Sequence, residues 1–313
     1  MSIRKMKKLL YSLTMFIALL SISFSAIAYN PKAITQLELN NQSILAVNWM
    51  QQSGEYQALA YQAFNIAKVA FNTALVNGIS EPAVIVDLDE TILDNSPYQA
   101  SLIGSQKGFE SKTWDQWIKA EQTLAIPGAI DFINYINTSG GKVFFVSNRG
   151  VSSGNSKIND LEISTKRNML RLGFEGVNEQ TLLLKGEFTK TINGRNDTSK
   201  QWRIDAVSNG KVDGINHNVV IFIGDNLNDF ADISKNDNTV RKEFVAKTQK
   251  QQGILVINPD GFQPAYVTLP NPIYGDWENG LYNPQKFNKK NHWDLSPSQK
   301  FMQRLESLIK WKG

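Results

Sequence analysis

The chain has 313 residues, 42% of them hydrophobic and 20% charged, a balance that excludes intrinsic disorder and predicts one or two packed domains. The formal charge of +4 would suit a partner such as nucleic acid or an anionic surface, but the excess sits in the first eight residues and describes a leader rather than a body.

Arg4, Lys5, Lys7 and Lys8 precede an apolar run from Leu9 to Leu20, then Ser21 to Ser25 and Ala26-Ile27-Ala28. This order predicts a secretory signal peptide over residues 1–28. The alternative, an uncleaved anchor helix, is disfavoured because the run falls short of the ~20 residues that span a bilayer. Without the leader the chain carries 29 basic and 29 acidic residues, which argues against a nucleic-acid groove. The mature protein is expected to be exported, periplasmic or extracellular, with no stable membrane anchor. Cysteine is absent and only His217 and His292 are histidines, so disulfides, thiolate chemistry, a histidine zinc site and a histidine-based triad are all disfavoured. Whatever chemistry occurs must run largely on carboxylates.

Small and aromatic residues at helical spacing predict one amphipathic helix from Asn48 to Val76, ended near Asn77-Gly78. Continuous apolar runs follow at Ala83 to Val86, Lys142 to Val146, Gln180 to Leu184 and Val219 to Ile223, the pattern of strands covered on both faces. Helical segments are expected at Ala129 to Ile136, Ile158 to Leu172 and Thr198 to Val207, giving an α/β fold with a doubly wound parallel sheet. Residues 94–127 suit a small cap over the strand ends. Gly253 to Asn258 is expected as a last strand, Pro270 to Lys290 as an ordered loop, and Ser296 to Trp311 as a terminal helix.

Three apolar strands end in polar clusters: Asp87-Leu88-Asp89-Glu90-Thr91, Ser147-Asn148-Arg149, and Gly224-Asp225-Asn226-Leu227-Asn228-Asp229. Ligands of open α/β sheets bind at the carboxyl ends of the strands, so these clusters converge on one crevice. Asp87, Asp89, Asp225 and Asp229 crowded there require a cation, and an all-oxygen set suits Mg²⁺. Asp87 is the natural nucleophile toward phosphorus, with an aspartyl-phosphate intermediate. Asp89 is placed to protonate the leaving alkoxide and then to activate water. Ser147 and Lys185 are expected to hold the transferring oxygens. Lys185 is chosen for its position after Leu182-Leu183-Leu184, with Lys200 and Lys211 as alternatives. Asn148 is open between phosphate contact and turn-making, and Arg149 between phosphate and a local carboxylate.

These residues resemble the four motifs of the haloacid dehalogenase superfamily: Asp87-Leu88-Asp89-Glu90-Thr91 the first, Ser147 the hydroxyl motif, Lys185 the lysine motif, and Gly224 to Asp229 the acidic motif. More narrowly, VDLDETILDNSPY at 86–98, FFVSNR at 144–149 and GDNLNDF at 224–230 are similar to the bacterial class C acid phosphatases, a group that includes lipoprotein nucleotidases. The likeness extends to Trp49 through Phe71 and to Asn271 through Glu278, nearly the whole mature chain. It implies a Rossmannoid core, metal binding by Asp87 and Asp225, a backbone carbonyl from Asp89, and bracing by Asp229. It also implies an aromatic pair that stacks on a nucleotide base, matched by context at Phe109 and Tyr274, and it favours a homodimer. Where lipoprotein members carry Cys at the processing site, this chain has Ala28-Tyr29.

The expected organisation is a signal peptide at 1–28, an N-terminal helical segment at 29–80, the α/β core at 81–265 with its cap insertion at about 94–127, and a C-terminal loop and helix at 266–313 that joins the first segment in a helical subdomain. The expected activity is hydrolysis of a phosphomonoester, a nucleoside monophosphate or related cofactor, at acid pH, because Asp89 must be protonated to donate. Two alternatives are a phosphomutase of the same fold and an exported protein that captures a nucleotide or another planar ligand without turnover. Trp114 and Trp117, at i, i+3, are expected to staple a helix to its neighbour, and the two histidines to pack rather than react.

Overall fold

The computed structural model describes residues 33–150, 160–233 and 237–313. The expected signal peptide lies outside them. The body, Thr35–Gly313, begins with α1 (Gln36–Asn41), α2 (Ile44–Gln52) and α3 (Gly54–Val76). The single helix expected from Asn48 to Val76 is thus two. The chain breaks at Ser53, which is extended and whose hydroxyl accepts the Tyr56 N–H at 3.0 Å as the cap of α3.

Strand β1 (Pro82–Val86) follows, then β2 (Leu93–Asp94), α4 (Ser96–Leu102), α5 (Ser111–Ala120) and β3 (Leu124–Ala125), with β2 and β3 paired antiparallel at the base of the two helices. Next come α6 (Ala129–Thr138), β4 (Lys142–Gly150), α7 (Asp160–Leu172) and β5 (Leu182–Lys185). An antiparallel hairpin, β6 (Lys190–Ile192) and β7 (Arg195–Asp197), leads into α8 (Lys200–Ser208) and β8 (Asn218–Gly224). The remainder holds α9 (Asn238–Lys247), a hairpin of β9 (Val256–Asn258) and β10 (Gly261–Gln263), β11 (Ala265–Thr268), α10 (Asp276–Asn279) and α11 (Pro297–Glu306). The last strand of the main sheet is therefore Ala265–Thr268 rather than Gly253 to Asn258. The terminal helix stops at Glu306, well short of Trp311.

The main sheet has the order β11-β8-β1-β4-β5 with every pair parallel. Connections run outward in both directions from β1, so the topological switch lies between β1 and β8, and a ligand crevice is expected outside their carboxyl ends. The runs are apolar at every position because the sheet is covered twice. Val84, Val86, Val143, Phe145, Leu182, Leu184, Ile221 and Ile223 face one cluster with α3 and α6. Ala83, Ile85, Phe144, Val146, Leu183 and Phe222 face the other, with Ile204 and Val207 of α8.

The alanines of α3 have a structural consequence. Ala60, Ala63, Ala67, Ala70 and Ala74 are buried, and such small side chains allow close approach to the sheet, with Phe64 and Phe71 filling the gaps between them. Phe64 meets Phe132 of α6 at 5.5 Å between centroids. Phe71 reaches the turn before β4, where a Cβ on Gly141 would stand 2.5 Å from Phe71 Cζ and 2.8 Å from Ile136 Cγ2. A residue larger than glycine has no room there. Gly141→Ala is expected to cost about 1–3 kcal/mol through overpacking, read as a lower urea midpoint at unchanged slope; an unchanged midpoint would mean that Phe71 is free to move aside.

Candidate active site

The ladder between β1 and β8 continues one residue past β1, since Asp87 N–H donates to Ile223 O at 2.9 Å. The chain then folds back tightly. The N–H groups of Thr91, Ile92 and Leu93 all lie on Leu88 O at 2.9–3.3 Å, and Glu90 takes a left-handed φ of 59°. That turn separates the two aspartates of the motif. Asp87 meets the residues at the end of β8, while Asp89 meets Arg149 of β4.

At the end of β8, Asn226 starts a single 3-10 turn over Leu227–Asp229 with a capping box, so Asp229 doubles back on its own strand and accepts the Asn226 N–H at 3.0 Å. It lies so close that a Cβ on Gly224 would stand 2.6 Å from Asp229 Cγ. Glycine at 224 is what lets that carboxylate reach the crevice. Asp225 is held from the C-terminal loop, where Asn271 Nδ2 donates to its Oδ2 at 2.7 Å. Asp87, Asp225 and Asp229 each offer an oxygen within 4.8 Å of the others. The carboxylate of Asp89 does not join this set.

The lysine of the site is Lys200, not Lys185. Lys185 closes β5 with its side chain exposed, whereas the buried Lys200 ammonium bonds Asp87 Oδ1 and also Asp229 Oδ1, the latter at 2.7 Å. The hairpin after β5 carries the chain to Ser199, which caps α8 and leaves Lys200 at its first residue. A cation at a helix N-terminus opposes the macrodipole, and it is stable here because two buried carboxylates face it. One turn later the fully buried Arg203 donates to the carbonyls of Ser147, Leu183 and Thr198, tying the ends of β4 and β5 to the turn that carries Lys200.

Burial pushes the Asp87 carboxyl up to about 7 against the pull of Lys200, with Asp229 and Asp89 adding to the rise. Burial raises Asp225 well above the usual range too, reinforced by Asp229 and Asp87. Burial would lower Lys200, but Asp229 and Asp87 hold its ammonium above the ordinary value. Three carboxylates share one ammonium, a net charge of −2 when all are ionised, and a hard divalent cation matches both that charge and the all-oxygen donors. Asp87, Asp225 and Asp229 therefore fit such an ion.

Of the other expected residues, Ser147 is fully buried and accepts the Arg149 N–H at 3.0 Å, while Asn148 points outward, exposed. Arg149 takes the second of its two expected roles, pairing with Asp89 at 2.7 Å. Phe109, half exposed, meets Tyr98 and Trp114 edge-on or tilted, and among the described residues its ring contacts do not include Tyr274. Tyr274 packs against the cluster of Val47, Met50, Tyr56 and Ile273 and donates its hydroxyl to the buried Glu90. Asn95 and Asn271 fall inside stretches that carry the resemblance but have no individual role in the sequence, and Arg203 lies outside the motifs. The first two left only the signal of asparagine in a polar loop, and Arg203 that of arginine on the inward side of a short helix.

The chain matches the family model described as HAD superfamily, subfamily IIIB (acid phosphatase), over residues 6–277. Among solved structures it is similar to the class C acid phosphatase from Bacillus anthracis, at 30% identity and a TM-score of 0.70 over 88% of this chain and 99% of that one. It is also similar to the same protein with tungstate bound, at 30% identity, a TM-score of 0.71 and the same coverage. With a parallel sheet switching at β1, an Asp-x-Asp turn on that strand and the acidic turn beside it, the chain belongs to the class C acid phosphatases of the haloacid dehalogenase superfamily, subfamily IIIB, and is a phosphoric monoester hydrolase.

Proposed function

We propose that the protein is an exported, Mg²⁺-dependent phosphatase that hydrolyses nucleoside monophosphates and related phosphorylated cofactors through a phosphoryl group carried on Asp87. The observation that carries this reading is the junction of Asp87, Asp225 and Asp229 with Lys200 at the switch point of the sheet. A relative with tungstate bound, a tetrahedral oxyanion like phosphate, adds support.

In this reading an Asp87 carboxylate oxygen attacks phosphorus while the ester oxygen leaves with the proton of Asp89. Lys200 and the Ser147 hydroxyl, near the ends of neighbouring elements, hold the phosphoryl oxygens and counter the charge that grows on them. Asp89, now ionised, takes a proton from water, and the water oxygen attacks the acyl phosphate, releasing inorganic phosphate and restoring Asp87. A Mg²⁺ held by Asp87 and Asp225, with Asp229 bracing, supplies charge neutralisation that lets a phosphate dianion approach. Phe109, with its exposed face, offers a flat surface to a base. The four-residue turn α10 and α11 join the first helices through Arg304, which bonds Gln42, Tyr282 and Glu278; we read this as the helical subdomain of the two chain ends. Among the described residues no helix is long and apolar enough to cross a membrane.

Phosphate release from nucleotides, sugar phosphates and aryl phosphates, with chelator and Mg²⁺ arms, tests the reading. Asp87→Asn is expected to abolish turnover, and Lys200→Met to lower kcat/KM about 100-fold or more. Lys185→Met stays within about threefold, since its side chain faces solvent. Full activity in Asp87→Asn would end the proposed mechanism.

Substrate preference has its own check. Phe109→Ala is expected to raise KM for a nucleoside monophosphate about tenfold, in line with the ~1–3 kcal/mol of base stacking, while KM for ribose 5-phosphate stays put. Equal change for both would remove Phe109 from base recognition.

The crowded carboxylates also set a pH dependence without any substrate. The Asp87 carboxyl goes from an ordinary 3.8 to about 7, so between roughly pH 4 and 7 the metal-free folded protein keeps a proton that the unfolded chain has lost. More protons bound when folded means stability falls as pH rises through that interval. In chelator, Tm is expected to drop from pH 5 to pH 8, by less in Asp87→Asn, and Mg²⁺ to raise Tm more at pH 8 than at pH 5. A Tm in chelator that is flat or rising over that range, or an equal Mg²⁺ shift at both pH values, would contradict this charge balance.

A further inference from the structure

Asp89 lies two residues from Asp87, yet its carboxylate is held by a separate set of side chains. Arg149 gives it a forked contact, Nε to Oδ1 at 3.0 Å and to Oδ2 at 3.2 Å, and Nη2 to Oδ1 at 2.7 Å. The guanidinium is itself fixed. It is buried, its Nη1 donates to the buried Thr165 hydroxyl at 3.0 Å, and it lies over the Trp114 ring at 5.9 Å. From the other side Asn95 Nδ2 donates to Asp89 Oδ1 at 2.9 Å. Asn95 is buried, and its amide cannot turn round: Trp117 Nε1, which can only donate, bonds Asn95 Oδ1 at 2.8 Å.

Trp114 and Trp117 stand one turn apart on α5 of the insertion. Tyr98 fixes the first, packing edge-on at 5.1 Å. Two routes thus run from one helix to one carboxylate, Trp114 through Arg149 and Trp117 through Asn95. Both end chiefly on the same oxygen. Asp89 Oδ1 receives three short donors, while Oδ2 has only the longer Arg149 Nε contact. A carboxyl with one oxygen saturated by N–H donors can carry a proton only on the other.

Resting on the phosphatase reading above, we propose that α5 is a positioning element for Asp89: Trp117–Asn95 and Trp114–Arg149 occupy Oδ1 so that Oδ2 presents the proton to the departing ester oxygen. Arg149, Asn95 and Trp117 are positioning residues, since in this structure they act on Asp89 and not on the nucleophile. Their effect belongs to leaving-group departure. An ester whose alcohol is a poor leaving group depends on a well-placed proton donor, whereas p-nitrophenolate leaves without one, so the two esters separate this role from a general loss of structure. The second half of the reaction, hydrolysis of the acyl phosphate, is common to both and does not enter kcat/KM.

The experiment measures kcat/KM for 2-glycerol phosphate and p-nitrophenyl phosphate, in Mg²⁺, with wild type, Trp117→Phe, Arg149→Lys, Arg149→Met and Asp89→Asn, each checked for folding by Tm. Trp117→Phe keeps an aromatic ring and deletes one N–H, so it remains informative if Arg149→Met fails to fold. The expected result is a loss of about tenfold or more on the alkyl ester and under threefold on the aryl ester for Trp117→Phe. Arg149→Met is expected to show the same asymmetry, larger and approaching that of Asp89→Asn, with Arg149→Lys between it and wild type because lysine keeps the charge but not the fork. Equal losses on both esters in folded variants, or no loss on either, would overturn the proposal. Wild type inactive on both esters, or Asp87→Asn fully active, would instead overturn the phosphatase mechanism on which it stands.

Discussion

Three carboxylates and one ammonium within a few ångströms form an unstable arrangement on their own, and much of the local structure can be understood as what is needed to hold it. Asp87 and Asp229 can be buried because Lys200 lies between them. Lysine at the first position of α8 runs against the helix dipole, so Ser199 caps that turn and Arg203 secures it to the ends of β4 and β5. Gly224 removes the one Cβ that would keep Asp229 out, and Asn271 brings the C-terminal loop onto Asp225. The residual charge of −2 is what makes a divalent cation fit the cluster. Parts from four strands and the last quarter of the chain are therefore organised by one electrostatic demand, and the site, rather than the hydrophobic core, is where local preferences are overruled.

The opposite end of the sheet shows what the same residue types do when their charges are matched locally. Asp213 is half-buried beside β4 and receives Lys142 Nζ, the His217 ring and the Ile215 N–H. Burial works against its ionisation, yet these donors draw the carboxyl down to about 2. His217 packs edge-on against Phe144 at 5.0 Å, the packing role expected of it. One acid with a lysine and two further hydrogen-bond partners there needs no ion. Three acids with one lysine, which bonds two of them, at the other end do. The structural salt bridge and the reactive site in this fold differ both in the ratio of partners to charges and in burial, since Asp87, Asp229 and Lys200 are buried and Asp213 only partly so.

Much of this was legible in the amino-acid sequence because it is written in local pattern. Apolar runs without alternation revealed a sheet covered on both faces, and the Asp87, Ser147 and Asp225 clusters at the strand ends followed from that. What was not legible depended on loop geometry. Lys185 follows its strand as directly as Asp87 follows β1, but the turn after it leads into a hairpin, and only that detour delivers Lys200. The conflict of a lysine directly after a capping Ser was the available clue. The division of Asn48 to Val76 at Ser53 was also marked, by a serine three residues before Tyr56 with Gly54 between. The strand expected at Gly253 to Asn258 departs for a different reason: its second half, Val256–Asn258, pairs with Gly261–Gln263 in a hairpin, and Ala265–Thr268, too short to stand out, takes the edge of the main sheet beside β8.

In the proposed mechanism, the turn after β1 lets one short motif serve two kinds of chemistry. A nucleophile must be ionised and a leaving-group acid protonated, so two aspartates in one environment would compete for the same state. Leu88, fully buried, anchors the turn, and the three N–H groups that converge on its carbonyl reverse the chain between the two carboxylates. Asp87 is thereby committed to Lys200 and the acidic turn of β8, and Asp89 to Arg149 and Asn95, whose orientation is set by an insertion that the sheet itself does not require. The parallel sheet is a generic scaffold for an anion at its switch point. The separate partners of the two carboxylates, on which the proposed division of labour rests, arise where the inserted helix meets that scaffold.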